Sequence, residues 1–270
     1  MVDVLCADLP PASGRVHTEI AVRAGGSAVN AAVAASAAGA AATVVGRIGA
    51  DPSGELVLSA LEREGVEARL ARDPDLTTGV AIALGSNVVA HRGANAAFSP
   101  DDVPDPLDSD ALLVSGFALF QPGSADAGWA ALDRFRGKYA AVDVASPALA
   151  AHADMERLER SAHVLLVTND EARVLTGTDG EAAATQLARR FRVACVKLGE
   201  AGAVAASGNE LVRAAASQVE ESSPFGAGDA FAAALLVALA SYLPLAAALE
   251  RACDAGAQAA GGKTPSEGRP

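Results

Sequence analysis

The sequence predicts an α/β fold, with a mainly parallel central sheet, helices packed on both of its faces and a small separate β-sheet. Short apolar runs rich in Val, Ile and Leu alternate with longer stretches of helical periodicity. That βαβα order is the pattern of a parallel sheet, and strands this apolar are buried on both faces. Two stretches break the alternation, with strand patterns and no helix between them; they predict the small sheet.

In chain order, Val16–Val22 reads as the first strand of that small sheet. Gly25-Gly26-Ser27-Ala28-Val29-Asn30 then opens a helix of very small residues ending at Gly39, and Ala31–Ala42 carries its alanine bias. Thr43–Ile48 is the first strand candidate of the large sheet. Asp51-Pro52 starts the helix Ser53–Glu64, with Asp at the cap and Pro in the first turn, where its missing N–H costs nothing; Gly65 closes it. Thr78–Leu84 and Asn87–His91 pair as a hairpin turning at Gly85-Ser86-Asn87, and with Val16–Val22 they form a lid over a substrate pocket, its strands around 14–24 and 77–93. The strands Ala111–Ser115, Ala140–Val144, His163–Val167 and Val193–Leu198 follow. Among them lie the helices Ser124–Arg136, Glu171–Thr176, closed by Gly177, and Gly180–Phe191. Gly261–Pro270 reads as a frayed tail.

A chain of 270 residues buries a substantial core, so 1–270 is expected to form one domain, long enough for an enzyme. A hydrophobic share of 51% with a formal net charge of −12 argues for a soluble protein with no nucleic-acid surface. Cys6, Cys195 and Cys253 lack metal-type or disulfide spacing, and no two of the four histidines form a ligand pair, which suits a reducing cytoplasm. The uncharged windows Arg23 to Arg47 and Asp229 to Glu250 are interrupted by Gly39 and Pro244 and read as buried helices rather than membrane spans. The N-terminus carries Asp3 and Asp8 without a basic region, so no secretory signal is expected.

The most informative segment is the turn-prone stretch from Glu220 to Phe225 running through Gly226-Ala227-Gly228-Asp229 into the helical pattern Ala230–Ser241. A loop of small residues opening a helix presents unpaired N–H groups backed by the helix dipole, an invitation to an anion such as phosphate. Asp229 is either the cap of that helix or a general base, since a carboxylate beside a phosphate is otherwise repulsive. Asn30 offers two donors and an acceptor suited to sugar hydroxyls, with capping or solvation as the alternative. Gly46-Arg47-Ile48-Gly49 lacks the dinucleotide spacing, and there is no GxxxxGK[ST] loop.

The GGSAVN helix start, Arg47-Ile48-Gly49-Ala50-Asp51-Pro52-Ser53-Gly54 and the terminal GAGDAF, in this order, resemble the two signatures of the PfkB, or ribokinase-like, carbohydrate kinase family. His91 to Pro100, Asn169-Asp170-Glu171-Ala172 with Leu175-Thr176-Gly177, and Val196-Lys197-Leu198-Gly199-Glu200-Ala201-Gly202 extend the likeness over nearly the whole chain. The resemblance implies a ribokinase-like three-layer α/β/α sandwich with a small β-sheet lid, using ATP and Mg²⁺. It implies that Asp229 deprotonates a sugar hydroxyl while the amides of Gly226, Ala227 and Gly228 form an anion hole. It places Asp3, Gly25, Gly26, Asn30 and Asn95 at the sugar, Lys197, Gly199 and Gly202 near the nucleotide, and Glu171 at the Mg²⁺ and its water.

Three departures stand out. The family's opening strand ending in Gly-Asp has no counterpart before Val2, which implies a shortened first strand or a start upstream of Met1. The family's Asp-Thr reads Ser223-Pro224, which implies weak K⁺ dependence unless Glu220 or Glu221 substitutes. The family's Asn-x-x-Glu reads Thr168-Asn169-Asp170-Glu171, leaving Thr168 in the Asn position or Asn169 shifted by one. The expected function is an ATP-dependent sugar kinase. A nucleoside kinase is the alternative acceptor class, disfavoured by an aromatic content of 4%, and a catalytically impaired regulatory binder is the alternative from another class. A small sheet exposing apolar residues is unstable alone, so a homodimer pairing its lids is also expected.

Overall fold

The computed structural model describes residues 1–6, 15–84, 87–219 and 225–262. It begins with β1 (Val2–Cys6), β2 (Ile20–Ala24), α1 (Ser27–Ala37), β3 (Thr43–Gly49), α2 (Pro52–Arg63), β4 (Glu67–Asp73), β5 (Thr78–Leu84) and β6 (Asn87–Gly93). The small sheet has the order β2-β1-β5-β6. Its first strand therefore begins at Ile20 rather than Val16, and β1 is an inner strand of it. The turn expected at Gly85-Ser86 lies outside the described residues, as does most of the Gly261–Pro270 tail.

The RIGADPSG segment is a joint. Asp51 caps α2 by accepting the Gly54 N–H at 2.8 Å, and it also accepts the Thr78 N–H and hydroxyl, each at 2.7 Å. The Thr78 hydroxyl in turn accepts the Gly49 N–H at 2.9 Å. A Cβ on Gly49 would lie 2.5 Å from the Leu76 carbonyl oxygen, so only glycine permits this approach. Arg47 binds both Asp102 oxygens and Asp73, each contact 2.9 Å. These residues tie β3, α2 and β5 together, a structural reason for a motif that the resemblance carried.

Thr43–Ile48 was expected in the large sheet; instead β3 pairs in parallel with β4 alone, as a separate two-stranded sheet among the described residues. The Glu67–Asp73 strand, with its charged, largely exposed side chains, gives no apolar run to read.

The second half continues with β7 (Leu107–Asp108), β8 (Ala111–Ser115), α3 (Gly116–Leu119), α4 (Ala125–Arg134), β9 (Phe135–Arg136), β10 (Tyr139–Asp143), α5 (Pro147–Ala150), α6 (Met155–Ser161), β11 (Val164–Thr168), α7 (Asn169–Thr176) and α8 (Gly180–Leu187). It closes with β12 (Val193–Lys197), β13 (Ala203–Ser207), β14 (Glu210–Ala214), α9 (Ala227–Ala240) and α10 (Leu245–Ala260). The main sheet runs β14-β13-β12-β11-β10-β8. The neighbours β8, β10, β11 and β12 are parallel, and β13 and β14 are antiparallel additions. Leu165 and Val167 pack on one face with Trp129, Leu158 and Leu187, while Val164 and Leu166 pack on the other with Phe231, Leu235 and Leu249. The period-2 alternation of β11 thus feeds two cores and makes three layers.

Among the described residues, β8 is the outer strand of its sheet and β3 is paired on one side only. Ala111–Ser115 and Thr43–Val45 both line one cavity of about 900 Å³, together with small residues of α1 and with Ala233, Leu236 and Val237 of α9. Its lining includes residues at the carboxyl ends of the parallel strands. Among the described residues no helix is long and apolar enough to cross a membrane.

Candidate active site

Four neighbouring parallel strands end in polar residues: Ser115, Asp143, Thr168 and Lys197. Register places Ser115 opposite Asp143 and Thr168 opposite Lys197, and all four line the cavity. Ligands of open α/β sheets bind outside these carboxyl ends.

The N-terminus of α9 faces the same space. Gly226, at φ +84, is the N-cap, and the first helical bond runs from the Ala230 N–H to the Gly226 carbonyl at 2.9 Å. The amides of Gly226, Ala227, Gly228 and Asp229 precede it and lack intrahelical acceptors. No side chain caps this helix. Asp229, in the first turn, is therefore not the cap that was one reading of it. Its Oδ2 instead accepts a hydrogen bond from Asn30 Nδ2 at 2.9 Å. Asn30 does not cap α1 either, whose N-cap is Gly26; one N–H of its carboxamide is directed at the Asp229 carboxylate.

Burial pushes the Asp229 carboxyl above its ordinary range, an effect that Asn30, Lys197 and Ser27 oppose and the nearby Asp143 charge reinforces. The Lys197 Nζ lies 2.8 and 2.7 Å from the two Asp143 oxygens. Burial alone would push this ammonium down; the Asp143 charge and hydrogen bonds outweigh it, and the net direction is up. Asp143 escaped the sequence reading, although an acid closing an otherwise apolar run at the carboxyl end of a parallel strand is a signal for it.

Glu171 is buried, at 2% exposure, and forms a capping box on α7: the Thr168 N–H donates to its Oε2 at 2.8 Å, and the Glu171 N–H donates to Thr168 Oγ1 at 3.3 Å. Burial raises its pKa against the pull of that N–H and of Lys197. Asn169 Oδ1 accepts the Gly180 N–H at 2.9 Å, so it anchors α8, and Thr168 is the residue that reaches the cavity. Among the described residues no three His, Cys, Asp or Glu side chains form a metal-holding group. Glu171 still fits Mg²⁺, because one of its oxygens is left by the cap and this ion takes one or two carboxylates, waters and substrate phosphates.

Asp3 is packed against the Gly25-Gly26 turn. A Cβ on Gly25 would sit 1.9 Å from its Oδ2, and Gly26 needs glycine for its φ of +86. Burial raises the Asp3 carboxyl, opposed by the Gly26 N–H and Arg23. Asn95 donates to the Arg92 carbonyl at 3.2 Å and lies over Gly79, next to Val80, which pairs with Val2. Asp3 thus sits where the small sheet meets α1 and Asn95 at the β5–β6 end of that sheet, and neither is among the residues lining the cavity. Gly199 and Gly202 shape the turn after Lys197 and are not among the cavity-lining residues. At Gly202 the crowding comes from the Ala214 carbonyl, 2.0 Å from a Cβ built there, so packing against β14 accounts for it. Ser223-Pro224, Glu220 and Glu221, on which the monovalent-cation expectation rests, lie outside the described residues.

A three-layer α/β/α sandwich with a small lid sheet, carrying a carboxylate at a helix N-terminus, is the frame of a ribokinase-like phosphotransferase. The chain belongs to the pfkB family of carbohydrate kinases, whose family model matches residues 5–270. Solved structures share this fold. A fructokinase from Vibrio cholerae O395 with fructose, ADP and calcium bound is 25% identical, covers 96% of this chain and 90% of its own, and superposes with a TM-score of 0.79. Adenosine kinase from Sinorhizobium meliloti is 24% identical over 97% of this chain and 90% of its own, TM-score 0.80. Aminoimidazole riboside kinase from Salmonella enterica, with aminoimidazole riboside and an ATP analogue, is 24% identical over 96% and 91%, TM-score 0.78.

Proposed function

We propose that this family member is an ATP-dependent kinase that transfers the γ-phosphoryl group to a hydroxyl of a small sugar, with 1–270 as a single kinase domain. The observation that carries the reading is Asp229: a carboxylate in the first turn of α9 that caps nothing, aimed by Asn30 and bordered by amides without helical acceptors. Asp229 takes the proton of the acceptor hydroxyl, and the amides stabilise negative charge on the moving phosphoryl group. Asp3, Gly25, Gly26 and Asn95 hold the sugar under the small sheet. Mg²⁺ held through water at Glu171 would neutralise phosphate charge when bound. The fructose and ADP in the Vibrio cholerae fructokinase support this substrate pairing. Cys6, Cys195 and Cys253 are free, consistent with a cytoplasmic home.

A nucleoside acceptor has one observation in its favour, since Phe98, Phe117 and Phe225 all line the cavity and aromatic faces stack on bases. ADP release measured with ribose, fructose, fructose phosphates, 2-keto-3-deoxygluconate and nucleosides separates the two. Sugars as the better substrates support the proposal, nucleosides replace it, and no turnover with any acceptor points to the impaired binder.

As a base, Asp229 must be ionised, so turnover falls as pH drops through its raised pKa. The acid limb of kcat is expected above the ordinary carboxylate value of about 3.9. Asn30→Ala removes a hydrogen bond to the charged form and is expected to move that limb to still higher pH. A pH–rate profile of both proteins checks this; an Asn30→Ala limb that moves down contradicts the role given to Asn30.

The small sheet also supports a homodimer. Val22, Val4, Ile82 and Val89 form one directly paired row across its four strands, and Val22 and Val89 are 57% and 60% exposed. A second copy would cover them. Light scattering is expected to give a dimer for the wild type and a monomer for Val89→Glu; a wild-type monomer at high concentration removes this part.

A further inference from the structure

Lys197 is oddly placed for a structural cation. Its ammonium is against the first turn of α9, where a Cβ on Gly228 would lie 3.5 Å from Nζ. The N-terminus of a helix is its positive end, which disfavours a cation. The side chain also spans the end of β11 to reach β10, since β11 lies between β12 and β10. There both Asp143 oxygens hold it, with the two side chains 14% and 12% exposed. A nearly buried ion pair is weak evidence of stabilisation, because apolar residues of like volume fill such a place as well. Two of the three ammonium hydrogens are committed to Asp143. The third is available to the cavity, on the side of Gly228 and Asp229.

We infer that Lys197 is the cation that faces the transferring phosphoryl group, and that Asp143 is the positioning residue that holds it there. The inference rests on the kinase reading above and moves Lys197 from the nucleotide's surroundings to the reacting phosphorus. In the step, the acceptor oxygen gives its proton to Asp229 and forms the new O–P bond. The bond from the γ-phosphorus to the bridging oxygen breaks, and its electron pair leaves on ADP. Lys197 contributes no atom; its charge meets the negative charge spread over the phosphoryl oxygens. Asp143 keeps the ammonium from turning toward Glu171, and it offsets the charge while the site is empty.

Lys197→Met, Lys197→Arg, Asp143→Asn and the double variant Lys197→Met/Asp143→Asn test this in the full chain. Lys197→Met is expected to lower kcat about 10²-fold or more, the scale of losing one preorganised donor, with acceptor KM changed less than about threefold. Lys197→Arg should recover part of it. If Asp143 acts through Lys197, the double variant is no slower than Lys197→Met. A readout without turnover is calorimetry with ADP alone and with ADP plus aluminium fluoride, a mimic of the phosphoryl group in flight. Lys197→Met should keep affinity for the first and lose it for the second. Retention of near wild-type kcat and of aluminium fluoride binding by Lys197→Met overturns the inference, as does a loss confined to the melting temperature. Asp229→Asn run in parallel separates the two failures: its collapse with an active Lys197→Met removes this inference alone, whereas an active Asp229→Asn removes the kinase chemistry beneath it.

Discussion

Asp229→Asn is expected to lower kcat by about 10²–10⁴-fold, the usual contribution of a general base, while nucleotide affinity and fold persist. The amide keeps the shape of the side chain and loses only the ability to take a proton. The variant should also melt no lower than the wild type at neutral pH. Burial raises the folded-state pKa of Asp229, so the folded protein binds this proton more tightly than the unfolded chain does. The group's unfavourable contribution is absent below the unfolded pKa and is complete once pH exceeds the folded one. Removing the charge therefore relieves the fold at pH 7. Kinetics on the best acceptor and a melting curve check both halves, and a variant with more than half the wild-type kcat refutes the assignment.

Gly25→Ala is expected to act on a different kinetic constant. The new methyl group falls 1.9 Å from Asp3 Oδ2, and the carboxylate must leave the place where the Gly26 N–H holds it. A charged hydrogen bond lost from a binding site is worth about 1.5–3 kcal/mol, which is roughly a 10- to 100-fold rise in acceptor KM. Turnover at saturation should fall far less, because Asp229 and α9 are untouched. Asp3→Ala should show the same split. Equal KM values for wild type and both variants show that Asp3 does not hold the acceptor.

Both sites were legible in the sequence to the extent that their signals are local. Gly226-Ala227-Gly228-Asp229 announces a helix N-terminus by composition, and Asp51-Pro52 announces another. What lay hidden depends on partners distant in the chain. The Asn30–Asp229 bond joins residues separated by 199 positions, and the Lys197–Asp143 pair spans 54. β4 mixes four charged residues with Ala68, Leu70 and Ala71 in no strict alternation and needs β3 beside it to become a strand. The β13–β14 hairpin had a local sign in Gly208-Asn209, with Gly208 at φ +57, that a search for parallel strands passes over. Helix α10 was hidden behind Pro244, which is its N-cap. The capping box at Thr168 and Glu171 shows the converse: two residues three positions apart fix the start of α7 and can be read from the local sequence alone.

The end strand β8 and the strand β3, which among the described residues pairs with β4 alone, contribute Ala111–Ser115 and Thr43–Val45 to the cavity lining. Peptide N–H and C=O groups along two strand edges, like the amides at the start of α9, are the same whatever side chains those positions carry. Any contact made through such groups is inherited with the backbone and is insensitive to drift in the sequence, whereas Phe98 and Phe117, which line the same cavity, contribute side chains that substitution changes. An alanine scan of Ala111–Ser115 leaves every one of these groups in place. Proline substitution, or replacement of a single amide by an ester, is the change that removes a rung and reveals what it held.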